Sequence, residues 1–410
     1  MHSASNRKQL FRRKKMNKKL KSVLALVFAL AMMFTLVACA ADAPEADPPA
    51  AEDPVVEDPA TEDPPAVDDP AEDPAVEAGT ARIGVSMPTM DLQRWNQDGQ
   101  NLYEGLTAAG FEVDLQFAGN DVPTQVAQIE NMIGAGAEVL VIAAIDGDSL
   151  VEVLGQAQAN DVTVIAYDRL IMGTDAVTYY ATFDNFLVGV MQGEFIRDAL
   201  DLENEEGPFY IEFFTGDPGD NNINFFFPGA MSILQPFLDD GTLVSPSGQT
   251  DIMQVATDGW STENAQTRME NLIALNNLTP GGHPLHAVMC SNDSTAQGVT
   301  NALVNAGWTA GDDFPIVTGQ DCDIVSVRNM IAGTQAMSVF KDTRVLAANV
   351  VEMVIAIVNG TTVPINNTVD YDNGTGIIPT FESPPIVATL ANYRELLIDG
   401  GYYTEDELYG

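Results

Sequence analysis

The feature that most constrains the fold of this chain is a strict alternation, from Ala81 onward, of short apolar runs with longer amphipathic ones. "ARIGVSM" leads to "WNQDGQNLYEGLTAAG", which closes on Gly110, and then to "FEVDLQFA", which alternates at period two. A helix carrying Val122, Val126, Ile129 and Ile133 on one face precedes "EVLVIAAI", and "DSLVEVLGQAQAND" precedes "VTVIAYD". The second half repeats the scheme: "PFYIEFFTG", "TLVSPSG", "HAVMCSND", "PIVTGQD" and "AMSVFKD" are separated by helical stretches. Strands that are apolar throughout and interleaved with helices predict parallel sheets covered on both faces, in two doubly wound lobes. "TRVLAANVVEMVIAIVNG" is apolar nearly all round but contains Glu352, and is expected to be a buried packing helix.

Four apolar runs end in an acid: Asp146, Asp168, Asp293 and Asp321. Ligands of open α/β sheets bind outside the carboxyl ends of the strands, so these acids stand where a ligand would. An acid there also caps the following helix, which is the competing role at each position. Arg169 follows Asp168 directly, pairing an acceptor with a forked donor. Asp, Arg, Asn, Lys and Trp at strand ends suit a neutral polyhydroxyl ligand: carboxylates accept from hydroxyls, guanidinium groups donate, and indole faces cover C–H surfaces. Trp95 and Trp260, one per half and both expected in strand-to-helix loops, are the candidate aromatic walls. Lys341, at the end of "AMSVF", is the only lysine from Gly79 onward, against 45 acids and eight arginines. It is expected to balance the gathered carboxylates and to donate to a hydroxyl.

The net charge of −41 excludes nucleic acid and anionic lipid as natural partners, because both would repel the chain. Nine of the 18 basic residues precede Cys39, ahead of "SVLALVFALAMMFTLVAC". A basic flank and an apolar run shorter than a membrane span read as a secretion signal, with translation starting at Met1 or Met16. "LVAC" has the small residue before Cys39 that a lipoprotein signal requires, so Cys39 is the expected lipidation site and a lipid anchor the expected membrane attachment. Residues 40–78 hold 14 acids, no base and no aromatic residue amid many prolines, and are expected to be a disordered, extended linker. Cys290 and Cys322 are left either paired or free. His283 and His286 stand in a loop without further metal-ligand pattern, and no metal or cofactor is expected. The chain has no GxGxxG after its first strand, no GxxxxGK[ST] and no GxSxG, which argues against an enzyme. A secreted glycosidase using paired carboxylates is the enzyme alternative.

"RW..DG", "QIENMI..GAEVLVIAAIDG", "VIAYDRLI", "YYATFDNFLVGVMQ", "GDPGDNNINFFFPGAM", "DGWSTENA", "SNDSTAQG", "GQDCD" and "AGTQAMSVFKDTR" together resemble the periplasmic monosaccharide-binding proteins of ABC importers, from about Ala81 to the C-terminus. Within that family the likeness is to the xylose-binding and multiple-sugar-binding branches. The resemblance implies a type I periplasmic-binding-protein fold, two doubly wound parallel-sheet lobes joined by a three-strand hinge, with residues 79–184 plus 342–374 in the N-terminal lobe and 185–341 plus 375–410 in the C-terminal one. It implies an aldose such as xylose, arabinose, glucose or galactose in the interlobe cleft. Arg94, Trp95, Asp168 and Arg169 would contact it from one side, and Asn222, Trp260, Asn292, Asp293, Gln320, Asp321 and Lys341 from the other. The motif departs from the family around Asn224, Phe226 and Pro228, where some pentose binders carry an arginine. The implied partners are importer permease and ATPase subunits, or a chemoreceptor or sensor kinase. The implied protein is a monomer outside the cytoplasm.

Overall fold

The computed structural model describes residues 81–311 and 313–410. The signal peptide, Cys39 and the linker expected over residues 1–78 lie outside the described residues.

The first strands and helices alternate as the pattern predicts: β1 (Arg82–Met87), α1 (Gln93–Ala108), β2 (Glu112–Phe117), α2 (Val122–Gly134), β3 (Val139–Ile142), α3 (Val151–Ala159), β4 (Thr163–Tyr167) and β5 (Val177–Phe183). There follow α4 (Asn185–Leu200), β6 (Phe209–Phe214), α5 (Ile223–Asp239), β7 (Leu243–Val244), α6 (Thr262–Asn276), β8 (Ala287–Cys290), α7 (Asp293–Asn305), β9 (Ile316–Val317), α8 (Ile324–Ala332) and β10 (Met337–Phe340). The chain ends with α9 (Thr343–Val358), β11 (Thr380–Ser383), β12 (Ile386–Thr389) and α10 (Glu405–Tyr409).

One sheet has the order β11-β5-β4-β3-β1-β2, every pair parallel. The other has the order β7-β6-β8-β9, also parallel. The antiparallel pair β10–β12 adjoins its edge through a bridge between Gln320 and Val339. The chain passes between the lobes three times, at residues 183–185, 340–343 and 383–386. Because β11 pairs with β5, residues 380–383 belong to the first lobe, and the last crossing comes after Ser383 instead of at 374 as expected. Hydrogen bonding to the edge of β5 outweighs chain proximity to the C-terminal segment.

Each sheet is sealed on both faces. Ile83, Val85, Val141 and Ile165 pack with Leu346 and Val350 of α9 on one face of the first sheet, and Leu140, Ile142 and Val164 pack with Ile129 and Leu154 on the other. Every residue of β3 is fully buried, at about 1.5–3 kcal/mol of transfer free energy for each large aliphatic side chain. Helix α9 buries one face only, leaving Val345 and Ile355 exposed, so it is less enclosed than its composition predicts. Helix α2 is rotated from the expected face: its buried residues are Gln125, Ile129 and Met132. Gln125 turns inward because it closes main-chain groups at the strand ends, donating to the Ala143 carbonyl (2.9 Å) and accepting from the Ile145 N–H (2.9 Å). Among the described residues no helix is long and apolar enough to cross a membrane.

Helices α4 and α5 cross in near backbone contact. A Cβ on Gly189 would stand 1.9 Å from the Phe226 carbonyl oxygen, so only glycine permits this approach. The contact seats Phe226, on the first turn of α5, against α4.

Candidate functional site

The carboxyl ends of both sheets converge on one cavity, lined by Leu92, Arg94, Trp95, Asp168, Arg169, Asp220, Asn222, Phe226, Trp260, Asn292, Gln320, Asp321 and Lys341. It holds about 280 Å³ of atom-free space, part of it open to solvent. Three lining residues other than glycine have left-handed backbones: Asp168 (φ 59°), Trp260 (φ 54°) and Asp321 (φ 93°). Such strain persists only where surroundings hold it. At Asp168 the carbonyl accepts from Tyr180 Oη (2.7 Å), Thr182 Oγ1 (3.1 Å) and Asn222 Nδ2 (2.8 Å).

Charges from the two lobes interlock. Arg94, on the first turn of α1, donates from Nη2 to Asp168 Oδ2 (2.9 Å) and from Nη1 to Asp321 Oδ1 (3.1 Å). Lys341, just past β10, puts Nζ 3.3 Å from Asp321 Oδ1 and 3.6 Å from Asp168 Oδ2, with the Phe226 ring 5.6 Å away. Its side chain is 2 % exposed, so it is no surface ion pair. Arg169 pairs with Asp220 (Nε to Oδ2, 2.9 Å) while donating to the Ala144 carbonyl (3.0 Å). Burial alone would raise the Asp168 carboxyl, but Arg94, Lys341 and Arg169 outweigh it and hold it below the usual carboxylate range. Burial raises Asp220, against the pull of Arg169. With three cations (Arg94, Arg169, Lys341) and three carboxylates (Asp168, Asp220, Asp321), the lining has no net charge.

Aromatic rings complete the walls. Both guanidinium groups approach the Trp95 ring, Arg94 at 4.5 Å and Arg169 at 5.0 Å from its centroid. Trp260 donates from Nε1 to Asp220 Oδ2 (3.2 Å) and meets Phe226 edge-on, at 6.2 Å and 77°. Trp95 lies on the first turn of α1, not in the loop expected for it. Trp95 Nε1 and Gln320 Oε1 are buried with no protein partner, so the lining has unused hydrogen-bonding capacity of both kinds for a guest.

Ten of the eleven residues expected at the site line this cavity; Asp293 does not. Its carboxylate accepts from Gln335 Nε2 (2.9 Å), Ser338 Oγ (2.9 Å) and the Asp323 N–H (2.9 Å), and so anchors the strand-end loop from behind. Asp293 opens α7, and its first turn directs the side chain toward β10. Asp146 neither lines the cavity nor caps α3; its carboxylate closes its own loop, accepting from the Asp148 N–H (2.9 Å) and Ser149 Oγ (2.8 Å). Asn292 lines the cavity but also caps α7, accepting from the Thr295 N–H (3.0 Å). His286 Nδ1 accepts from the Tyr210 N–H (2.8 Å) near the start of β6, and no cluster that could hold a metal exists among the described residues. Cys290 and Cys322 are both free and buried. Sequence reasoning missed Leu92, Asp220 and Phe226; Asp220 lies inside the "GDPGDNN" motif without being singled out.

A family model described as "Periplasmic binding protein domain" matches residues 83–362. The multiple sugar-binding periplasmic protein SbpA of Azospirillum brasilense is 46% identical over 79% of this chain and 90% of its own length. The multiple sugar-binding periplasmic receptor ChvE of Rhizobium radiobacter is 46% identical over 81% of this chain and 93% of its own. Among solved structures, an ABC transporter solute binding protein from Clostridium phytofermentans, with bound beta-D-glucose, is 59% identical. It superposes with a TM-score of 0.77 over 80% of this chain and 99% of that one.

Proposed function

Since this chain belongs to the periplasmic binding protein family, with the type I fold, we infer that it binds a monosaccharide in the interlobe cleft and serves an ABC-type importer. The observation that carries this reading is the convergence, from both lobes, of a charge-neutral set of forked donors, carboxylates and indoles on a single cavity. A neutral aldose offers hydroxyls to all three kinds of group at once. A phosphorylated sugar would bring uncompensated negative charge into a lining whose cations are already paired with carboxylates. The named ligands of the relatives, multiple sugars and glucose, are of this class.

Binding and closure are one event in this mechanism. Arg94, Trp95, Asp168 and Arg169 hold the sugar on the first lobe, and Asn222, Trp260, Gln320, Asp321 and Lys341 complete its hydrogen bonds as the three crossing segments bend. The bonds from Arg94 to Asp321, Lys341 to Asp168 and Asn222 to the Asp168 carbonyl add to the closed form, and the ligand shifts the population toward it. Importer membrane subunits read that form. A chemoreceptor or sensor kinase would read the same one, and the relatives' solute-transport role puts import first.

The protein works outside the cytoplasm, as its relatives do. Lipidation of Cys39 would tether it there, with residues 40–78 as the spacer. Radiolabelled palmitate should enter the wild type and not Cys39→Ser. No turnover is expected: nitrophenyl glycosides should remain intact. The deciding experiment is a thermal-shift and calorimetric panel of D-glucose, D-xylose, L-arabinose and D-galactose. At least one should bind stoichiometrically, and a panel without any stabilisation refutes the reading.

A further inference from the structure

We propose that Asp98, held in place by Tyr167, is a positioning residue for ligand capture: it fixes the Arg94 guanidinium so that one planar fork serves both lobes and the sugar. This role rests on the sugar-binding reading and lies one layer behind the cavity wall.

Asp98 follows Arg94 by four residues, one turn along the same face of α1. It is fully buried and absent from the cavity lining, so it cannot touch a guest. Its Oδ2 accepts from Arg94 Nε (3.0 Å) and Nη2 (2.9 Å), and its Oδ1 accepts from Tyr167 Oη at 2.5 Å. Tyr167 is fully buried and ends β4, immediately before Asp168. Two consecutive strand-end residues therefore grip Arg94, one directly and one through Asp98.

A guanidinium has five N–H donors. Here Nε and Nη2 serve Asp98, Nη2 also serves Asp168, and Nη1 serves Asp321, so four are committed and one, on Nη1, is left. Arginine has a long, rotamer-rich stem, and without Asp98 the Nε edge would have no partner to set the plane of the fork. The remaining donor would then point nowhere in particular. The motif "RW..DG" spans both ends of this device, and the sugar-contact role accounts only for its beginning.

The charged and titratable groups facing Asp98 are Arg94 on its own helix, Tyr167 and Asp168 at the end of β4, and Tyr402 from the C-terminal segment. Burial lifts its carboxyl to about 6, Arg94 opposes this and Asp168 adds to it. Asp98 is thus ionised at neutral pH and loses its charge in mild acid, so the affinity profile against pH, set beside that of Asp98→Asn, supplies a second readout.

The experiment measures calorimetric affinity for D-glucose, D-xylose, L-arabinose and D-galactose in wild type, Asp98→Asn, Arg94→Ala and the double variant, with circular dichroism on each. Asp98→Asn should weaken the tightest-bound sugar about 10- to 100-fold at pH 7.5, yet less than twofold in the Arg94→Ala background. Wild-type affinity should fall about tenfold from pH 7.5 to 5, with a flatter profile in Asp98→Asn. Should Asp98→Asn fail to fold, Tyr167→Phe, which deletes one hydroxyl, should cost several-fold in affinity. Losses that multiply in the double variant, or a foldable variant that binds like wild type, overturn the positioning role alone. A wild type that binds none of the four sugars overturns the sugar-binding reading and this role with it.

Discussion

Lys341 and Asp168 meet across the cleft, Nζ to Oδ2 at 3.6 Å, although their strands belong to different sheets. Asp321 completes the triangle at 3.3 Å from the same ammonium. The one lysine from Gly79 onward is thereby buried among carboxylates that would otherwise repel one another.

Asp168→Ala and Lys341→Ala should each weaken aldose binding by ~100-fold or more, about 2.8 kcal/mol at 1.4 kcal/mol per decade. Each removes a partner from a buried charge set and leaves the other groups uncompensated. Isothermal titration calorimetry checks this, and unchanged affinity in both variants would remove these residues from the site.

Arg169 and Asp220 come from opposite lobes and form an ion pair at 2.9 Å, which the proposed closure mechanism assigns to the closed form. Asp220→Asn should therefore speed ligand release more than it slows capture, with Kd rising by roughly 10- to 30-fold, since affinity changes within one interface fall mostly in the off-rate. Stopped-flow tryptophan fluorescence separates the two rates. An effect confined to association would contradict the latch.

Gly216→Ala tests the Trp260 wall without adding charge. A Cβ there would stand 2.0 Å from the indole Cζ2, so the ring must move. The expected result is at least tenfold weaker sugar binding and a Tm lower by a few degrees, with altered indole emission; overpacking of this kind costs about 1–3 kcal/mol.

Burial, with Asp321 adding to it, raises the Asp323 carboxyl from 3.8 to about 7, and its Oδ1 has no hydrogen-bond partner. A folded pKa above the unfolded one gives stability that is complete below about 3.8 and is lost as pH rises through about 7. Asp323→Asn removes that loss, so its Tm should exceed wild type by roughly 2–5 °C at pH 8 and match it at pH 4. Scanning calorimetry at the two pH values decides; a variant less stable at pH 8 would show that the carboxylate is stabilising as it stands.

The parallel strands were legible because burial on both faces demands continuous apolar runs bounded by helical patterns, and "VLVI" in β3 is such a run, buried at every residue. Site residues were legible to the extent that a strand end places them at the cleft. Asp168 and Asp321 turn into the cavity on left-handed backbones, whereas Asp293 enters α7 and turns back to Ser338. Nothing local distinguishes these acids. Asp98 was invisible for a related reason: it acts through Arg94, and its burial depends on Tyr167, 69 residues away.

From sequence alone come the alternation of elements, the neutral polyhydroxyl chemistry and the family likeness, because periodicity and residue type are local properties of the chain. Tertiary structure decided which lobe takes residues 380–383, which strand-end acids face the cavity, and that Asp220 and Phe226 help to line it. Those outcomes depend on backbone dihedrals and on groups brought together from distant positions, and no single stretch of chain contains both partners of such a contact.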